Sequence, residues 1–347
     1  MAKKIKYRFL YKAFRIFAFL AGLAPFSAAA ALGKGLGRLA YYLQPARRKT
    51  ALENIRQCPA LPVGINRVKL AKDSFAHLGL AGTEFVKFYN FSREEVFSRI
   101  EITGKEYLSA ALKEGKGAIV ISSHLGNWEL MIMALAMAGY PLRPLAKKQR
   151  NRLFDRLVNE KRRSTGMKPL PVGFTLREII RALNHNEVVI FLMDQHAGRG
   201  GVRTEFLGRE ASVHRGPALV ALKTGVPVLP VHITRTTPRR HRIKILPPVE
   251  IIKTGNKQED IRENTERFCE IIGQKILEAP EQWLWMHRRW RPVKKKGAKS
   301  PVPTQYRLKR LPVHQGDNDS SGRYEKKLPE RPREKGERSP GETSAQP

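Results

Sequence analysis

From about Glu101 onward, short apolar runs alternate with stretches of helical spacing. The runs are GAIVIS (117–122), PLRPLA (141–146), EVVIFLM (187–193), VPVLPVHI (226–233) and HRIKILPPVEI (241–251). Between them, apolar residues recur at three- and four-residue intervals from Trp128 to Met137, Asn151 to Arg163, Leu176 to Leu183, around Ala218 to Thr224, and from Ile261 to Leu277. Runs of six to eleven residues rich in β-branched and aliphatic side chains read as strands, and the intervening spacing reads as helices. Strand and helix in alternation predict an α/β fold with a central mixed, largely parallel sheet flanked by helices. Residues 46–95 carry helical spacing with charges, as in NRVKLAKDSFAHLGLAGTEFVKFY, and predict helices that cover one sheet face.

The two ends differ. The first carries Lys3, Lys4, Lys6, Arg8, Lys12 and Arg15 and then turns apolar from Phe17 to Leu32, with Pro25 inside the run. A cleaved signal peptide fits the basic start, but the apolar residues continue past the small cluster at Ser27 to Ala31. Because a span needs about 20 apolar residues, the expectation is an uncleaved membrane-anchoring helix, shallow or spanning, with its basic flank toward anionic lipid. From about Lys294 the chain is rich in Lys, Arg, Pro, Glu, Ser and Gly, a composition that predicts disorder because it cannot bury enough apolar surface. The expected organisation is an anchor with basic flank at 1–43, an α/β domain at 44–293 and a basic disordered tail at 294–347.

Charge narrows the partners. Of the 347 residues, 65 are Lys or Arg against 31 Asp or Glu, a formal net charge of +34 that attracts nucleic acid, acidic protein or anionic lipid. Two cysteines, Cys58 and Cys269, make no disulfide framework and no metal-ligand spacing, so both are expected as reduced packing residues.

The candidate chemistry lies in SSHLGNWEL, residues 122–130, directly after GAIVI. Catalytic groups of open α/β sheets gather where strands hand over to helices. On one continuous helix a five-residue offset turns by roughly 500°, a net 140°, so Glu129 can reach His124 only if the histidine lies outside the helix. With Gly126 and Asn127 making the bend, a loop histidine folds back on a carboxylate in the first turn. A neutral imidazole then removes a proton from an alcohol while the carboxylate orients the ring. Ser122 and Ser123 lack the GxSxG elbow of a serine nucleophile, which leaves the acceptor's own hydroxyl as nucleophile. The alternative for the Glu is structural, since a carboxylate is favourable at any helix start.

HLGNWE after GAIVISS, LMDQHAG after EVVIF, TGVPVLPVHITR, and PEQWLWMHRRW together resemble the lipid A biosynthesis acyltransferases of the lysophospholipid acyltransferase-like superfamily, over roughly residues 5–293. The resemblance implies a bacterial inner-membrane enzyme, active site facing the cytoplasm, that moves a fatty acyl chain from acyl carrier protein to a hydroxyl of a glycolipid precursor in lipopolysaccharide biosynthesis. It implies His124 as general base and Glu129 as its partner. It also implies an arginine near the acceptor's phosphate or the developing oxyanion, here Arg163 with Arg162 second. Asp194 and Gln195 match the family's Asp-Gln block and join Asn127 as substrate-binding candidates, while His196 stands where many members keep a second acid. No metal or redox cofactor is needed, and anionic membrane lipid completes the expected partners.

Each assignment has a plainer alternative. Arg162 and Arg163 fit a solvated helix face, and Asp194 fits a buried ion pair. Trp283, Trp285 and Trp290, interleaved with His287, Arg288 and Arg289, fit either an interfacial belt or a closed core. A sibling enzyme acting on a phospholipid, a phosphatidylinositol mannoside or an aminolipid would use the same pair. A membrane-tethered polyanion binder would explain the charge alone, although the basic residues are spread and no aromatic nucleic-acid motif occurs, so no specific nucleic acid is expected.

Overall fold

The computed structural model describes residues 2–88, 90–146, 149, 151–171 and 176–291; the expected tail, 294–347, lies outside the described residues. The chain opens with α1 (Ala2–Leu23) and α2 (Phe26–Leu43), broken at Pro25, whose ring fixes an extended backbone before α2. Then come α3 (Pro45–Arg56), α4 (Arg67–Phe88) and α5 (Arg93–Phe97), the last held by a capping box between Ser92 and Glu95.

The α/β part runs β1 (Ile100–Thr103), α6 (Lys105–Lys113), β2 (Ala118–Ser122), α7 (Trp128–Met137), β3 (Leu142–Ala146) and α8 (Arg152–Ser164). It continues through β4 (Leu170–Pro171), α9 (Leu176–Asn184), β5 (Val188–Leu192) and a hairpin of β6 (Val202–Phe206) and β7 (Arg209–Val213). The remaining elements are α10 (Gly216–Thr224), β8 (Val228–Thr237), β9 (Arg240–Ile245) and α11 (Lys257–Glu278).

Seven strands form one sheet in the order β1-β9-β8-β2-β5-β3-β4, parallel throughout except at the antiparallel β8–β9 pair. The expected mixed, largely parallel α/β fold is therefore the one observed. β2 is buried along its whole length, with Ile119 and Ile121 in the core on one face and Val120 on the other. Each such side chain contributes about 1.5–3 kcal/mol on burial.

The single expected anchor is instead two helices, and no helix among the described residues is long and apolar enough to cross a membrane. α1 is held by its carbonyl end: buried Lys87 of α4 donates to Ala21 O at 2.8 Å, Gly22 O at 3.1 Å and Ala24 O at 2.6 Å. A cation there satisfies orphan carbonyls and opposes the negative end of the helix dipole. α1 and α2 leave Phe9, Ile16, Phe19, Leu20 and Leu23, and then Leu32, Leu36, Leu39 and Leu43, exposed. The tryptophan block closes the core: Trp283, Trp285 and Trp290 are buried, and Trp283 meets Trp285 edge-on at 4.6 Å.

Candidate active site

β2 and β5 are parallel neighbours in which Ser122 pairs with Leu192, so His124 and Asp194 each lie two residues beyond the same level of the sheet. Equal overhang brings them together. His124 Nδ1 is 2.7 Å from Asp194 Oδ1, and the His124 backbone N–H donates to Asp194 Oδ2 at 2.9 Å. With the Nδ1 proton directed at the carboxylate, Nε2 carries the lone pair and accepts from the Gln195 amide at 3.1 Å. The indole Nε1 of Trp283 donates to Asp194 Oδ2 at 2.8 Å, and Trp128 stands edge-on to the imidazole at 4.8 Å between centroids.

Burial alone would raise the Asp194 carboxyl, but the charge of His124 and the bonds from His124 and Trp283 outweigh it and hold the group at about 2. The His124 side chain retains 14% exposure against 2% for Asp194, so the ring faces solvent while its partner is enclosed.

Glu129 has a different partner from the one expected. It lies in the first turn of α7, where the Arg162 Nε donates to its Oε2 at 3.1 Å and the Arg162 Nη2 to its Oε1. This planar fork against a carboxylate leaves the imidazole to Asp194. Both the local offset and the family resemblance pointed to Glu129 as the orienting carboxylate; strand pairing supplies a closer one, Asp194, from 70 residues away. Of the two arginines, Arg162 turns inward and Arg163 is exposed at the end of α8.

Asn127 is buried and its described contacts are internal. Its side chain caps α7 by accepting from Leu130 N at 3.1 Å and donates to Glu84 Oε2 at 3.0 Å and Ala81 O at 3.3 Å. It shapes the turn before α7. Gly126 has φ 58°, and a Cβ there would sit 2.3 Å from Ile233 O, so the bend after His124 admits glycine alone. Ser122 Oγ points at Met131 Sδ, 3.8 Å away, which separates it from the histidine. His196 is partly exposed and burial and Arg289 lower its pKa.

Trp283 lies in the PEQWLWMHRRW block, for which the sequence suggested only a belt or a core role; its bond to Asp194 adds a place in the site. Away from these residues, α1, α2 and α4 border an apolar cleft of about 440 Å³ lined by Phe14, Phe17, Leu36, Leu78 and Met286.

Residues 2–292 match the family described as bacterial lipid A biosynthesis acyltransferase. The chain belongs to that family. It is 27% identical over 276 residues to the lipid A biosynthesis palmitoleoyltransferase of Escherichia coli (strain K12), covering 78% of this chain and 87% of the relative. The lauroyltransferase of the same organism is 24% identical over 279 residues, covering 79% and 87%. A phosphatidylinositol mannoside acyltransferase of Mycobacterium tuberculosis (strain CDC 1551 / Oshkosh) is 26% identical over 194 residues, covering 54% and 59%. As a member of the lipid A acyltransferase family, the protein is an acyltransferase, and its relatives support acyl transfer to lipid acceptors.

Proposed function

We propose that this acyltransferase moves a fatty acyl chain from an acyl carrier protein thioester to a hydroxyl of a lipid A precursor, with His124 as general base and Asp194 as its orienting partner. The observation that carries the mechanism is the 2.7 Å contact between His124 Nδ1 and Asp194 Oδ1, which directs Nε2 outward. The acceptor hydroxyl displaces the Gln195 amide at Nε2 and gives its proton to the ring as its oxygen attacks the thioester carbonyl. Collapse of the tetrahedral adduct breaks the C–S bond, and the departing thiolate recovers that proton from the imidazolium. Asp194, ionised and enclosed, stabilises the imidazolium in between.

Glu129 and Arg162 serve a second purpose. Their pairing holds a guanidinium at the start of α7, where it fits an acceptor phosphate or the developing oxyanion. The apolar cleft between α1, α2 and α4 suits a hydrocarbon chain, each buried methylene contributing about 0.8 kcal/mol. The exposed apolar residues of α1 and α2, beside Arg8, Lys12, Arg15, Lys34 and Arg38, suit a helical pair lying on the cytoplasmic face of the inner membrane.

The test is acyl transfer from acyl carrier protein thioesters to a lipid A precursor in detergent. Wild type is expected to make product, and His124→Ala to lose at least about a hundredfold in rate. The mannoside acyltransferase relative makes phosphatidylinositol mannoside the second acceptor to try; product from it alone would replace the acceptor and keep the mechanism.

A further inference from the structure

Below the His124 turn lies a buried ionic cluster that the mechanism does not use. Glu84 of α4 is 1% exposed at its side chain and receives the Arg235 guanidinium, with Nη2 to Oε2 at 2.7 Å and Nη1 to Oε1. His241 Nε2 is 3.0 Å from the same Oε1. An enclosed carboxylate carries a large desolvation cost, and an apolar trio would serve packing at least as well. The cluster's outward contact is informative: Glu84 Oε2 accepts from the Asn127 amide, and Asn127 caps α7.

The rest of the cluster reaches the same turn. Gln282 accepts from Arg235 N at 2.8 Å and donates to Arg235 O at 3.1 Å, while its own carbonyl accepts from Gly126 N at 3.0 Å. One assembly thus grips Gly126 and Asn127, the two residues directly before the first turn of α7.

We infer that Glu84 is a positioning residue for acyl transfer: through Asn127 it fixes where the His124 turn ends and α7 begins, and so the separation between the imidazole and the Glu129–Arg162 pair. This inference rests on the proposed function. Misplacement of a reacting group by about 1 Å costs on the order of a hundredfold in rate, so a residue that never meets substrate has a kinetic signature.

Two variants isolate the link. Glu84→Gln removes the charge, and Asn127→Ser keeps an N-cap oxygen for Leu130 while removing the amide that reaches Glu84. Both are expected to lower kcat at least about tenfold with KM changed less than about twofold, and the double variant to lose no more than the worse single one, as residues acting as a unit do. The acidic limb of the kcat profile is expected to stay in place, because the contact of His124 with Asp194 is untouched. Hydrogen exchange at the His124 and Gly126 amides is expected to quicken while Ile119 to Ile121 stay protected.

Wild-type kcat in either folded variant, or losses that multiply in the double variant, would overturn the inference and leave Glu84 a fold element. If wild type acylates no acceptor, the proposed function fails and exchange alone decides: unchanged rates at His124 and Gly126 in Glu84→Gln would then sink the positioning role. Should Glu84→Gln not fold, Asn127→Ser carries the same tests.

Discussion

Asp194 binds His124 twice, by Oδ1 to the ring at 2.7 Å and by Oδ2 to the backbone N–H at 2.9 Å. A carboxylate that grips both the main chain and the ring of one residue removes the freedom of that ring to turn. Asp194→Asn keeps the shape but permits the wrong tautomer, and kcat is expected to fall by at least about a hundredfold. A rate within about threefold of wild type in the same assay would show that Asp194 does not orient the base.

The same carboxyl links stability to acid. Its folded pKa of about 2 lies below the unfolded value near 3.9, so its contribution is present above pH 4 and is lost as pH falls toward 2. The expected size is about 2.6 kcal/mol. Between pH 7 and pH 3 wild type should lose about half of that contribution, roughly 1.3 kcal/mol, in addition to what His77, His232 and His287 take away, and Asp194→Asn should lose correspondingly less in chemical denaturation.

Three histidines, His232 buried and His77 and His287 half-buried, add a separate window. Burial pushes His232 down to about 3, with Lys275 and Lys244 adding to it, and pushes His77 and His287 down to about 4. Each is neutral when folded and protonates in the unfolded chain near 6.5, so stability is full above pH 6.5 and falls by about 1.4 kcal/mol per pH unit for each as pH drops toward 4. His232→Gln should flatten that slope by roughly one such contribution in a series of denaturant melts; an unchanged slope would mean that His232 does not stay neutral.

Arg162 and Arg163 separate two readings of one motif. Arg162→Lys keeps charge but loses the fork that matches both oxygens of Glu129, and kcat/KM is expected to fall about tenfold, whereas the exposed Arg163→Lys loses less than about twofold. A larger loss at Arg163 would restore the sequence-based order of the two.

Gly37 of α2 lies where a Cβ would come 2.2 Å from Phe75 O, a backbone atom of α4, and Gly79 of α4 likewise would meet Gly33 O at 2.2 Å. No rotamer change relieves such contacts. Gly37→Ala is expected to cost at least about 1–3 kcal/mol and to lower the melting temperature, as overpacking does; an unchanged melt would show that α2 moves freely against α4.

The strands were legible because β2, β5 and β8 are buried on both faces and so read as continuous apolar runs. The β6–β7 hairpin escaped because its turn is Leu207-Gly208, with φ of 53° and 78°, where an Asn-Gly or Asp-Gly pair would have announced it. Leu207 accepts that backbone because its side chain is buried in the core. His124, Asp194 and the arginine segment were visible as candidates, but their pairing was not. Local spacing shows which residues share a turn; only strand order shows that residues 124 and 194 overhang the same level. Glu84 was invisible for the same reason, since nothing near it in the chain betrays the turn it holds.

The tie between Trp283 and Asp194 spans 89 residues, and that between Asn54 and Trp285 spans 231. A site closed by such distant contacts is completed late, because the loop entropy is spent before the contacts repay it. During synthesis the histidine, its carboxylate and most of the sheet leave the ribosome before the indole that bonds the carboxylate. A nascent chain therefore lacks the indole that bonds Asp194 until its tryptophan block emerges.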